Sequence, residues 1–192
     1  MKDTLRKYLT RFTTLDDTEQ AAILNEIKVA AFPKGTVLLR QGEAPRECFF
    51  VIKGCIRQYA VDEAGREITS NFYTEEQAVM MLDRHHVDAT SKYTYACVED
   101  CELVVGDLSA EQAMYAKHGQ LEHMTRRMIE LNFASMQEEF AAFVASSPEE
   151  RFASLLRRRP GLVDRVPQHQ LASYLGMTPE SLSRIKKRLP RL

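Results

Sequence analysis

The sequence predicts an α+β protein in which a β-roll, or jelly-roll barrel, is followed by a long helix and then by a helix-turn-helix. Three observations carry that expectation. Between Lys28 and Asp107 short segments rich in β-branched and aromatic residues alternate with glycines. From about Gln120 to Ala145 apolar residues recur at helical spacing. From Val166 to Leu189 two short helical patterns flank Gly176.

Taken in order, residues 3–12 read as a short helix, and Asp16 or Asp17 starts a second one that runs to Ile27 with Ala21, Ile23, Leu24 and Ile27 apolar. The segments VAAF, TVLLR, CFFVI, CIRQYAV, EITSNFY, YTYACV and CELVVG read as strands. Gly35, Gly42, Gly54 and Gly65 sit between them, with Glu63 to Gly65 as a hairpin tip. A short helix is expected at about residues 109–117. The long helix that follows spans roughly 40 Å at 1.5 Å per residue. It carries two apolar stripes: Leu121, Met124, Met128 and Leu131, then Ile129, Phe133, Met136, Phe140 and Phe143. One small barrel hardly covers both. The expectation is that one stripe faces the barrel while Leu121, Met124, Met128 and Leu131 meet a second copy as a short coiled coil. Burial of both stripes within one chain is the alternative.

Ser147-Pro148-Glu149-Glu150 has the form of a capping box with proline at the first helical position. Arg157, Arg158 and Arg159 close that helix, where cations favour the dipole. A structural role and a phosphate-binding role are both open to them. In the last stretch Leu171, Ala172 and Leu175 share a face, Gly176 supplies a positive φ, and Thr178 and Pro179 suit the start of the next helix. Leu182, Ile185 and Leu189 form its apolar face. Glu180, Ser181, Arg184, Lys187 and Arg188 lie opposite, a set able to touch both base edges and phosphates. A helical hairpin with solvated charges shares much of this pattern.

Net charge over the 192 residues is only −1, which by itself speaks against nucleic acid. The distribution speaks for it. Residues 147–192 hold ten Lys/Arg and four Asp/Glu, or +6, leaving 16 and 23, or −7, for the remainder. A basic module on an acidic body suggests nucleic-acid contact by one part only. Hydrophobic content of 44% can fill a core, and no apolar run approaches a membrane span. MKDTLRKYLTRF has no apolar signal region, so a cytoplasmic location is expected, with Cys48, Cys55, Cys97 and Cys101 as reduced thiols. These cysteines form no CxxC and pair with no histidine at zinc spacing. His85 and His86 are adjacent and would point to opposite faces of a strand, so no metal site is expected. His118 and His123 are not singled out as haem ligands.

A glycine-punctuated barrel, a long helix and a C-terminal helix-turn-helix, in that order, resemble the Crp/Fnr family of bacterial transcription regulators over nearly the whole chain. PKGTVLLRQGE, with Gly35 and Gly42, and FFVIKGCIRQY, around Gly54, carry the barrel resemblance; QLASYLGMTPESLSRIKK carries the DNA-binding one. The resemblance implies a cyclic-nucleotide-binding-like sensor barrel in residues 1–118, a dimerisation helix in 119–146 and a winged-helix-like DNA-binding domain in 147–192. It implies a homodimer whose two recognition helices enter successive major grooves of a near-palindromic double-stranded DNA operator, with half-sites about 34–36 Å apart. RNA polymerase is a candidate partner, and a membrane is not.

In the family a Glu and, four residues on, an Arg often read bases. Glu180 and Arg184 match those positions. The chemistry fits independently, since a carboxylate accepts from cytosine N4 and a guanidinium grips guanine O6 and N7. Ser181 is placed for a base or a phosphate. Thr178 and the free N–H groups of its helix start suit a phosphate, Gln168 and His169 suit the backbone, and Lys187 and Arg188 with Lys186 suit non-specific attraction. Pro179 stands where the family often has a basic or polar residue. The sequence stops at Leu192, where the family continues into a β-hairpin wing, so a truncated wing without phosphate contacts is expected.

The sensor departs furthest. Cyclic-nucleotide members use a Gly-Glu pair and, ten residues after that Glu, an Arg followed by a small hydroxyl residue. Counted back from Ala96, these positions hold Val79, Met80, Thr90 and Ser91, and only Ser91 matches. Each lost charge-assisted contact costs about 1.5–3 kcal/mol, so tight cyclic AMP binding is not expected. Arg84 and Lys92 leave room for another anionic ligand, and Tyr73, Met80 and Tyr93 for an apolar pocket wall, although each aromatic also suits plain core. No cofactor is expected and the effector is open. No nucleophile-base pair, glycine-rich phosphate loop or metal cluster supports catalysis. Two readings compete: a DNA-binding regulator, favoured by the charge distribution and the Glu180/Arg184 face, and a ligand-binding or enzymatic barrel whose last helices serve only assembly. A bare cyclic-nucleotide regulatory subunit is weaker, since it needs the missing Gly-Glu and Arg.

Overall fold

The computed structural model describes residues 2–79, 90–107 and 111–189. Two helices lead in, α1 (Lys2–Phe12) and α2 (Asp17–Glu26). Asp16 caps α2, accepting the Thr18 and Glu19 N–H groups at 2.9 and 2.8 Å, while the Glu19 carboxylate accepts the Asp16 N–H at 2.9 Å.

The barrel follows: β1 (Lys28–Phe32), β2 (Val37–Leu39), β3 (Glu47–Lys53), β4 (Ile56–Val61), β5 (Glu67–Tyr73), β6 (Ala78–Val79), β7 (Thr94–Cys97) and β8 (Cys101–Asp107). They form two antiparallel four-stranded sheets, ordered β1-β8-β3-β6 and β2-β7-β4-β5. Alternation along each strand sends Phe49, Val51, Ile56, Val79, Cys97, Leu103 and Val105 into one core between the sheets. Gly54, between β3 and β4, shows why glycine punctuates here. Its φ is +108°, and a Cβ would lie 2.6 Å from Cys101 Sγ and 2.8 Å from the Asp100 carbonyl oxygen. Cys55, Cys97 and Cys101 are buried, Cys48 is half-buried, and none is in a disulfide.

Beyond the barrel come α3 (Glu111–Lys117), α4 (Gly119–Ala145), α5 (Pro148–Arg158), α6 (Leu162–Arg165), α7 (Gln168–Tyr174) and α8 (Pro179–Arg188). Ser147 caps α5 through the expected box, with Glu150 accepting the Ser147 N–H at 2.8 Å. The expected strands and helices are all present. The two-residue β6 and the single-turn α6 were not anticipated, because neither is long enough to show a period.

Of the stripe expected at the subunit contact, the first two residues are covered within the chain. Leu121 is 4% exposed and packs with Leu9, Ile23 and Leu24 of α1 and α2, and Met124 lies against the same cluster. Leu121 therefore has almost no surface to offer a partner. The physical reason is that α1 and α2 form a platform under the first turns of α4. Met128 is half-buried and Leu131 exposed. The second stripe is open along its middle: Ile129, Phe133, Met136 and Phe140 are 39%, 59%, 58% and 70% exposed, while Phe143 is half-buried under Arg151.

No helix among the described residues is long and apolar enough to cross a membrane.

Candidate nucleic-acid interface and its seat on the barrel

The helix-turn-helix is built as its residues dictate. Leu171 and Ala172 of α7, Leu175 at its end, and Leu182 and Ile185 of α8 are buried together with Phe152, Leu155, Leu162, Val163 and Val166. Gly176 carries the chain between the helices at φ +67°. Thr178 caps α8, its hydroxyl accepting the Ser181 N–H at 3.2 Å and donating to Ser181 Oγ at 3.2 Å. Gln168 Nε2 donates to the Pro179 carbonyl at 3.2 Å, joining the starts of the two helices.

Burial of one side of α8 leaves Glu180, Arg184, Lys187 and Arg188 exposed, with Gln168, His169 and Thr178 exposed nearby and Ser181 half-buried. Arg184 Nε donates to the Glu180 carbonyl oxygen at 3.4 Å, and no ion pair joins the two side chains. The carboxylate and the outer guanidinium nitrogens both face solvent. The Glu180 carboxyl is held below the usual carboxylate range by its own backbone N–H and by the Thr178 hydroxyl, so it is an acceptor near neutral pH. Arg188 is committed differently, pairing with Glu149 of α5 at 2.8 Å.

Three arrangements seat this module on the barrel. Phe72 of β5 is wholly buried within the module's own core, together with Cys55 and Val98, and its ring meets Tyr174 edge-on at 5.4 Å. β5 is an edge strand, so its outer backbone groups need partners. Ser173 Oγ supplies them, accepting the Thr69 N–H at 2.9 Å and donating to the Glu67 carbonyl at 3.3 Å, while Arg159 Nη2 donates to the Phe72 carbonyl at 2.7 Å. Arg165 reaches Glu75 and Glu99. Beneath the seam Arg57, 4% exposed, donates Nε to Thr69 Oγ1 at 2.9 Å, pairs with Glu67 and lies over the Tyr59 ring at 4.2 Å.

Of the residues expected to line a ligand pocket, Tyr73, Val79 and Tyr93 share the barrel core. Tyr73 is partly buried against the barrel core, donates to Gln58 Oε1 at 2.7 Å, and faces Tyr95 with ring centroids 6.4 Å apart. Tyr93 packs on the same core. Val79 is wholly buried core. Ser91 spends its hydroxyl locally, donating to the Tyr93 carbonyl at 2.7 Å and accepting the Tyr93 N–H at 3.1 Å. Thr90 and Lys92 are exposed. Met80, Arg84, His85 and His86 lie outside the described residues. Among the described residues no group of His, Cys, Asp and Glu is arranged to hold a metal ion.

Residues 29–118 match the cyclic nucleotide-binding domain. The regulatory protein HlyX of Actinobacillus pleuropneumoniae is 22% identical over 175 residues, covering 82% of this chain and 70% of HlyX. Among solved structures, FixK2 of Bradyrhizobium japonicum superimposes with a TM-score of 0.71 at 16% identity, over 85% of this chain and 84% of FixK2. A Crp/Fnr-family protein of Eubacterium rectale superimposes with a TM-score of 0.66 at 16% identity, over 95% of this chain and 87% of that one. Residues 29–118 thus carry a cyclic nucleotide-binding domain, and the chain as a whole is similar in sequence and fold to Crp/Fnr-family regulators.

Within this Crp/Fnr fold, the side chains that seat the DNA-binding module are the ones sequence reasoning missed. Arg165 belongs to no motif, Ser173 has no role assigned within its motif, and their partners lie 66 to 106 residues away. For Arg159 the sequence offers a dipole-favouring or a phosphate-binding role, and neither names the Phe72 carbonyl. The unpaired edge of β5 is the signal that points to Ser173 and Arg159, and it exists only once the strand order is known.

Proposed function

We propose that the chain is a homodimeric, sequence-specific DNA-binding transcription regulator and not an enzyme. One observation carries the reading: the outer face of α8 presents the Glu180 carboxylate and the Arg184 guanidinium side by side, unpaired with each other, on a module of net charge +6. In the major groove Arg184 grips guanine, Glu180 accepts from cytosine, and Thr178, Gln168 and His169 position the backbone, with Lys187 adding phosphate attraction. Arg188 adds charge while held by Glu149. The division into sensor (1–118), dimerisation helix (119–146) and DNA-binding module (147–192) is retained as a division of labour. The dimer forms through α4, on the open stripe of Phe133, Met136 and Phe140 together with Leu131 and Met128. RNA polymerase is the further partner such a regulator meets.

We infer that cyclic AMP is not the barrel's effector. Thr90 stands exposed where an arginine would meet the cyclic phosphate, and Ser91's hydroxyl is already bonded to Tyr93. The test of the main reading is selection of bound sequences from a random double-stranded DNA pool by the purified protein at near-physiological salt. A two-fold-symmetric motif with half-sites one helical turn apart supports it. Salt-sensitive binding with no motif under any effector condition rejects it.

A further inference from the structure

Three arginines, Arg151 and Arg158 of α5 and Arg159 at its end, converge on one cavity. Arg151, Arg158 and Arg159 line a half-open cavity of about 70 Å³ where the end of α4 meets α5 and α7, with Glu139, Ser154 and Tyr174 on its other walls. Each arginine is aimed by a specific contact. Arg151 lies 3.9 Å over the Phe143 ring and donates to the carbonyls of Phe143 and Leu175, at 3.1 and 3.3 Å. Arg159 is held by the Phe72 carbonyl and Thr74 Oγ1, and the Tyr174 hydroxyl lies within its reach. Arg158 stands 3.9 Å from Glu139, the one carboxylate lining the cavity. Arg151 and Arg159 thus hydrogen-bond mainly to carbonyls, which orient them without cancelling their charge. Three guanidinium groups less one carboxylate leaves a local excess of two positive charges.

We propose that this cavity is an anion site that takes a dianionic phosphate group, free or as the end of a small phosphorylated metabolite. The cavity has room for one such group, since about 10–15 Å³ of space of this kind already holds a water molecule. Guanidinium forks match tetrahedral oxyanions, and charge-assisted hydrogen bonds are the strong ones. An occupant here ties the end of the dimer helix to the base of the DNA-binding module, so the site deepens the regulator reading by giving it an effector class outside the barrel. Its binding is measured without DNA and so stands or falls separately from that reading.

The experiment is isothermal titration calorimetry of the full chain at constant ionic strength, with inorganic phosphate, adenosine 5′-monophosphate and chloride as the added salts. Saturable uptake of one phosphate per chain, with none of chloride, is expected. Arg158→Ala should weaken it about tenfold, as the loss of one charged donor does. Glu139→Gln should strengthen it several-fold, a gain that misfolding cannot mimic. Arg157→Ala, on the exposed side of the same helix and outside the cavity lining, should leave it unchanged. Tighter binding of the monophosphate assigns the site to the end of a metabolite, and equal binding assigns it to free phosphate. The proposal is overturned by no saturable phosphate uptake, by equal losses in Arg157→Ala and Arg158→Ala, or by an unchanged affinity in Glu139→Gln.

Discussion

Arg165 grips Glu75 with both terminal nitrogens, Nη1 to Oε2 and Nη2 to Oε1, each at 2.8 Å, while its Nε reaches Glu99 Oε1 at 3.0 Å. Glu75 also accepts the Gly54 N–H at 2.9 Å. A single side chain of the DNA-binding module is thereby bonded to the β5–β6 turn and to the β7–β8 turn. Next to Glu75, Glu76 holds a left-handed backbone at φ +69° and accepts the Tyr8 hydroxyl at 3.0 Å, so α1 is tied to the same turn. Left-handed backbone at a residue with a Cβ persists only where surrounding contacts impose it.

Arg165→Ala should loosen this seat. The Glu75 side chain is 40% exposed, so the expected cost is about 1–2 kcal/mol, below that of a buried pair. Differential scanning calorimetry should show the midpoint falling by about 2–4 °C for each kcal/mol lost.

The same pair makes the seat sensitive to acid. Burial alone would raise the Glu75 carboxyl, but hydrogen bonds from Arg165, from the Gly54 N–H and from its own backbone hold it below its ordinary value. A carboxyl depressed in the folded chain contributes fully above its unfolded value, about 4.3, and that contribution is lost as pH falls through the folded value. Unfolding midpoints measured between neutral pH and pH 3 should therefore fall with acid, and Glu75→Gln should flatten part of that dependence.

Ser173→Ala should leave the Thr69 N–H and the Glu67 carbonyl without their partner on the β5 edge. The expected loss is about 1 kcal/mol, and amide hydrogen exchange at Thr69 should accelerate while α8 keeps its protection.

At the reading face, Arg184→Ala should cost about 1–3 kcal/mol on the selected operator and relax its preference at one base pair, with the dimer intact. Lys187→Ala should weaken all sequences alike and reduce the salt slope by about 1. Binding measured by fluorescence anisotropy on specific and scrambled duplexes separates the two. Equal losses on both duplexes for Arg184→Ala would remove it from base reading.

The two stripes of α4 make opposite predictions. Phe133→Glu with Phe140→Glu should lower the sedimentation mass to that of one chain with little loss of folded structure, because both side chains are exposed. Leu121→Ala should instead cost about 2–5 kcal/mol by opening a cavity against Leu9, Ile23 and Leu24, and leave the subunit contact unchanged.

Much of this molecule was legible in its residues, because the signals are local. Ser147 with Glu150 announces its capping box within four residues, and Asp16 or Asp17 the start of α2. Gly176 announces the turn, and the spacing of Leu182, Ile185 and Leu189 announces which side of α8 is inward. Glu180 and Arg184 follow from that spacing, since the opposite face of a short helix must be outward.

The sequence by itself determined the order of barrel, long helix and helix-turn-helix, the caps and turns that delimit them, and the concentration of positive charge in the last module. Each depends on residues a few positions apart. Only the tertiary structure decided which stripe of α4 is covered, what Ser173, Arg159 and Arg165 hold, and that Phe72 of the barrel lies in the core of the DNA-binding module. Those outcomes depend on partners brought together across the chain, from Phe72 to Tyr174 and from Leu9 to Leu121. An apolar period states that a face will be buried; the neighbour that buries it is chosen by the packing of the whole chain.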